Sequence, residues 1–143
     1  MSDNKTSRPS SREALMKMLF QMEIQGDFSE EARNGFSEEF LGDQLDRKYF
    51  DGVFNAYINH NNEIDDIIEK YSKGWKLERL AKVDLSILRV CVAEMMYYEE
   101  PVPVSVSINE AVRIAKIYGG DDSRKFVNGI LGRISKERSD ADK

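Results

Sequence analysis

One cysteine and one histidine in 143 residues exclude an internal disulfide and leave no cluster of soft ligands for a metal. Cys91 lies in the apolar run Leu88-Arg89-Val90-Cys91-Val92, where a buried, inert thiol is expected. His60 sits among asparagines, Asn59-His60-Asn61-Asn62, with no serine or cysteine nucleophile defined beside it. Glycine-rich phosphate loops are missing too: neither G-x-G-x-x-G nor G-x-x-x-x-G-K occurs, which argues against a nucleotide-dependent enzyme. No apolar run reaches the roughly 18 residues of a membrane span, and Met1 to Lys5 lack the apolar segment of a secretory signal. A cytoplasmic protein without a cofactor is the expectation. Basic charge is also short, with 21 lysines and arginines against 26 carboxylates. A net charge of -5 rules out a uniformly basic nucleic-acid-binding surface, so any such binding must use a local patch or a basic partner.

Helical periodicity is present in abundance. Residues 1–10 are polar and aperiodic and read as a flexible N-terminal arm. Ser10 and Glu13 fit a capping box ahead of Leu15, Met18, Leu19 and Met22, the i, i+3, i+4, i+7 spacing of one buried stripe, and Gly26 stops that helix. Phe28, Phe36, Phe40 and Leu41 suggest a second helix over 29–41. Further stripes follow in Phe50, Val53, Phe54 and Tyr57, then in Ile64, Ile67, Ile68 and Tyr71, with a break at the asparagine cluster. Trp75 is expected to plug the edge of the core, and Leu77 and Leu80 mark a short helix. Residues 85–98 are apolar on most faces, as a central helix requires, until Pro101 and Pro103 end it. Ser107 and Glu110 suggest another capping box, Gly119-Gly120 a left-handed C-cap, and Asp121 or Asp122 the cap of a last helix carrying Phe126, Val127, Ile130, Leu131 and Ile134. Gly129 and Gly132 would form a smooth face for close helix approach. No alternating strand occurs. The pattern predicts an all-α, single-domain compact bundle of about six or seven helices over 11–136, with a polar tail at 137–143.

Residues 107–131, Ser-Ile-Asn-Glu-Ala-Val-Arg-Ile-Ala-Lys-Ile-Tyr-Gly-Gly-Asp-Asp-Ser-Arg-Lys-Phe-Val-Asn-Gly-Ile-Leu, closely resemble the C-terminal hallmark of the NusB family in order and spacing. Leu80-Ala81-Lys82-Val83-Asp84-Leu85-Ser86-Ile87-Leu88-Arg89 is similar to that family's central helix entry. Arg12-Glu13-Ala14-Leu15 and Leu19-Phe20-Gln21 are similar to its first helix. The resemblance implies a helical transcription antitermination factor, not an enzyme. It would bind boxA-type single-stranded RNA together with the NusE-type small-subunit ribosomal protein. The pair would then join an RNA polymerase antitermination complex with other Nus factors and promote transcription of ribosomal RNA operons. Family members occur as monomers and as homodimers, and no motif decides between them.

The same resemblance singles out RNA-facing residues. Arg8 and Arg12 belong to an arginine-rich arm, in which Pro9, Ser10 and Ser11 stand where the family carries further arginines. Arginine at a helix N-terminus opposes the helix dipole, so folding alone gives little reason for it. Tyr118 would stack a base or pack at a helix end. Asp122 would cap the last helix, accept from a base amino group, or do both. Lys125, on the same face, would reach a phosphate or stand solvated, and Asp84 reads as a helix cap. Two other readings stay open. One is the NusB-like domain of ribosomal-RNA cytosine methyltransferases, whose glycine-rich methyl-donor loops these 143 residues do not contain. The other is a helical protein–protein adaptor without RNA binding.

Overall fold

The computed structural model describes residues 4–40 and 45–141, with side chains over 8–36 and 45–137. Six helices follow in order: α1 (Asn4–Gln25), α2 (Glu30–Phe40), α3 (Arg47–Asn59), α4 (Asn61–Lys70), α5 (Lys82–Tyr97) and α6 (Val104–Ala141), with a short 3-10 turn at Leu77–Arg79. No described residue lies in a strand, so the all-α expectation holds. Among the described residues no helix is long and apolar enough to cross a membrane.

The apolar stripes decide the packing. Leu15, Met18, Leu19 and Met22 are buried on α1, Phe50, Val53, Phe54 and Tyr57 on α3, and Ile64 and Ile68 on α4. They converge on α5, where every residue from Asp84 to Met95 is buried. A helix surrounded by others must be apolar on most faces, as its sequence is, and the charged residues it does bury must find partners. Helices α1, α3, α4 and α6 all pack directly on it. Cys91 is a buried free thiol, as expected, and burial pushes its pKa up, which favours the protonated form.

Two buried arginines tie these layers together. Arg12 of α1 donates from Nε to Glu94 Oε2 at 2.9 Å and from its terminal nitrogen to Glu110 of α6 at 3.3 Å. Glu94 also accepts from the Tyr49 and Ser107 hydroxyls, so one carboxylate joins α1, α3, α5 and α6. Arg89 of α5 makes a two-pronged contact with Asp65 at 3.0 Å and reaches Glu23 at 2.7 Å, while Phe28 and Tyr57 flank it. Buried charge is tolerated here because each guanidinium meets carboxylates in good geometry.

Local expectations fared unevenly. The chain is already helical from Asn4, so Ser10 and Glu13 lie inside α1 and do not cap it, and residues 1–3 lie outside the described residues. This end is held by tertiary contacts: Ser11 Oγ accepts from the Asp46 amide, and Asp46 in turn caps α3 through the Tyr49 amide. Ser107 and Glu110 also fail to form a capping box. Helix α6 begins earlier, at Val104, and their side chains serve Glu94, Arg12 and Arg113 instead. Trp75 does not plug the core but stands 57% exposed. Gly132 faces open space, and a methyl group on Gly129 would meet only Arg133 of its own helix, so among the described residues no other helix docks on that pair. Leu41 and residues 142–143 lie outside the described residues, and the expected tail at 137 begins within α6.

Candidate nucleic-acid interface

The proposed interface is built on a bend. Helix α6 is interrupted at Gly120, whose φ of 87° and ψ of -167° no side-chain-bearing residue adopts cheaply. The glycine pair was expected to end a helix through a left-handed cap. It does so: the positive φ at Gly120 ends the first helical stretch of α6, and a second one resumes at Asp121 across the kink. Gly119 is needed for a different reason: a Cβ there would collide with Ser123 on the next turn. Just ahead of the bend, Ile117 and Tyr118 are 58% and 40% exposed.

Tyr118 is held in place while its ring stays accessible. Its hydroxyl donates to Glu13 Oε1 of α1 at 3.0 Å, and Lys17 Nζ lies 5.2 Å from the ring centre. Arg113, one turn earlier, bridges Glu110 at 2.9 Å and Glu13 at 3.4 Å. Beyond the bend, Asp121 pairs with Arg124 at 2.9 Å and with Lys125 at 3.5 Å. Its carboxyl is held below the usual aspartate range, chiefly by the hydrogen bond from Arg124. Lys116 is exposed on the same stretch. An exposed aromatic ring with Lys17 beside it and Lys116 exposed on the same stretch therefore stands on a chain of net negative charge, while Arg113, Arg124 and Lys125 are paired with carboxylates. An exposed ring beside a cation is suited to stacking a base.

Behind the bend sits Asp84, the third residue of α5. Burial raises its pKa above the ordinary aspartate value, a hydrogen bond from Ser123 works against that rise, and Oδ1 has no partner. It is therefore not the N-cap itself, which is Ala81. It lies in the first turn, where the helix dipole favours a negative charge.

Three of the five expected site residues lie within five positions of Gly120 in sequence. Tyr118, Asp122 and Lys125 flank the bend. Asp122 is exposed and receives no hydrogen bond from the described residues; the non-helical residue is Gly120, so Asp122 is the second residue of the helix that follows and not its cap. Arg8 lies elsewhere on α1, nine residues or roughly 14 Å from Lys17. It is half-buried over the Tyr49 ring, 3.8 Å from Asp46 and 3.7 Å from Glu100. Arg12 requires correction. Its side chain is only 6% exposed and committed to Glu94 and Glu110, so it forms part of the interior and not of the surface. Sequence reasoning missed Lys17, because its approach to Tyr118 joins residues about a hundred positions apart and leaves no local pattern.

The comparisons with known proteins agree with this architecture. The sequence model described as the NusB family matches residues 9–136. The transcription antitermination protein NusB of Acetivibrio thermocellus is 46% identical over 129 residues, covering 90% of this chain and 88% of its own length. The protein of the same name from Alkaliphilus oremlandii is 45% identical, over 92% of this chain and 94% of its own length. Among solved structures, T. maritima NusB superposes with a TM-score of 0.80 at 37% identity, covering 96% of this chain and 94% of that one. A chain from the crystal structure of antitermination factors NusB and NusE in complex with dsRNA gives 0.80 at 27% identity, over 90% and 96%. The matched sequence and the matched bundle coincide over nearly all the described residues, and the chain belongs to the NusB family.

Proposed function

We propose that this protein is a transcription antitermination factor that binds boxA-type single-stranded RNA together with the NusE-type ribosomal protein. In this reading it acts in the cytoplasm, within an RNA polymerase antitermination complex on ribosomal RNA operons. It is a binding protein and not an enzyme. The observation that carries the RNA contact is the accessible Tyr118 ring beside the Gly120 bend, with Lys17 5.2 Å from its centre and Lys116 exposed on the same helical stretch. The names of the relatives support antitermination, and the structure of NusB with NusE and dsRNA supports both partners. The relatives are matched over 88–94% of their own length, which favours this reading over a methyltransferase-linked domain.

Arg8 and Arg12 are the two arginines of α1, and with Arg12 buried and Arg8 half-buried beside Asp46 and Glu100 the helix presents no free arginine. That favours dependence on the ribosomal partner for phosphate neutralisation, and it also keeps the adaptor reading alive. Fluorescence anisotropy of a labelled boxA-type RNA and a scrambled control, with and without the NusE-type protein, separates the two. Selective binding that tightens with the partner supports RNA recognition. A partner that associates while RNA selectivity never appears leaves the adaptor.

A further inference from the structure

The loop between α4 and α5 has no role in the bend site, and its construction is unusual. Ser72 is buried and anchored by a hydroxyl bond to the Ile68 carbonyl at 2.6 Å. The Trp75 amide returns to the Ser72 carbonyl at 3.2 Å, closing a turn. Both central residues have positive φ, 52° at Lys73 and 89° at Gly74, the mark of a type I′ turn. Glycine adopts that conformation freely, but lysine does not. On the far side, the Leu77 amide is fixed by Glu69 Oε2 at 2.8 Å. Trp75 is thus pinned from both sides on a strained turn that presents its indole to solvent.

Its surroundings are cationic. Lys73, Lys76 and Arg79 are exposed, and none is in an ion pair among the described residues. Opposing them are Glu69, already engaged by an amide, and the exposed Glu78. At Tyr71, where the loop begins, a groove of about 270 Å³ lined by Arg133, Lys136 and Glu137 opens. Lys70 of that stretch is paired with Glu137 at 3.2 Å. An exposed indole with exposed Lys73, Lys76 and Arg79 on the same short loop, none of them ion-paired among the described residues, departs from the lysine-poor centre of a protein interface. It suits a stacked base with phosphates on either side.

We propose that Trp75, with Lys73, Lys76 and Arg79, forms a second single-stranded RNA contact that binds nucleotides outside the element held at the Gly120 bend. This rests on the RNA-binding reading above and extends the footprint along the chain of the transcript. The fixed loop makes the stacking platform preorganised, so little conformational freedom is lost when a base docks.

Trp75 is the only tryptophan, so its fluorescence reports this site alone. The experiment titrates the full chain with a boxA-type RNA, with the same RNA extended by oligouridine at either end, and with oligouridine alone at low salt. Tryptophan emission and the anisotropy of labelled RNA are followed together. The extended RNA should quench Trp75 and bind roughly tenfold tighter than the unextended one. Trp75→Ala should erase that gain while leaving the unextended RNA unaffected, and Trp75→Phe should keep most of it. The Lys73→Ala/Lys76→Ala variant should flatten the salt slope for the extended RNA by about 1.4, at about 0.7 per phosphate contact. An affinity gain without quenching, or one retained by Trp75→Ala, overturns the proposal. So does quenching by the NusE-type protein without RNA, which would assign the loop to a protein partner. If boxA-type RNA shows no selectivity, the antitermination reading fails by itself, because oligouridine quenching still decides whether Trp75 binds RNA.

Discussion

Replacing Arg12 with alanine separates two roles that the sequence could not. Its guanidinium reaches Glu94 at 2.9 Å and Glu110 at 3.3 Å with 6% of the side chain exposed, so solvent screens these contacts little. Glu94 is buried to 3% exposure. Without Arg12 its charge would rest on the Tyr49 and Ser107 hydroxyls alone. Removing one partner of a buried ion pair costs about 3–5 kcal/mol. For a chain of this size each kcal/mol shifts the midpoint by roughly 3–5 °C, so Arg12→Ala should lower Tm by about 10–20 °C. Circular dichroism melts and urea titration measure this directly. A double-mutant cycle with Glu94→Gln should recover more than about 1 kcal/mol of coupling, since both singles break one network. Arg8→Ala, whose nearest acids lie at 3.7–3.8 Å, should cost less than about 1 kcal/mol. An Arg12→Ala protein that melts like the wild type but loses RNA affinity would refute the structural assignment and return Arg12 to the RNA surface.

The remaining predictions concern the bend. Asp122→Asn should leave Tm unchanged, as the carboxylate has no partner among the described residues, and should tighten RNA binding by removing a charge that repels phosphate. Equal affinity by anisotropy would place Asp122 away from the RNA. Tyr118→Ala should lose about 1–3 kcal/mol of RNA affinity, while Tyr118→Phe, which gives up only the bond to Glu13, should bind nearly normally. Gly120→Ala should destabilise the fold by about 1–3 kcal/mol in urea titration, because its φ of 87° strains any L side chain. Asp84→Asn tests the buried carboxyl. A raised pKa means that the folded state penalises the charged form. The penalty is therefore present at neutral pH and fades as pH falls through the raised value towards the ordinary 3.8. Wild type should gain stability relative to Asp84→Asn on acidification across that window. A stability difference that does not vary with pH would show that Asp84 carries no such penalty.

Much of this molecule could be read from the order of residues alone. The 3.6-residue stripes on the future α1, α3 and α4, the apolarity of α5 on most faces, and the buried state of Cys91 follow from composition and spacing, because burying apolar surface is local in pattern even when its partner is distant. The family resemblance rested on the same linear information, in the run from Ser107 to Leu131. What linear order left open was the use of polar and charged groups. Ser10, Ser107 and Glu110 carry capping-box spacing, yet packing extends their helices past them and recruits Ser107 and Glu110 into the Glu94 network. Arg12 looks like a surface cation until α5 brings Glu94 beside it from 82 positions away. Trp75 looks like core until two positive-φ residues turn it outward. An apolar stripe declares its own destination through its period. A charge takes its role from whichever partner the fold delivers, and only the tertiary structure decides that.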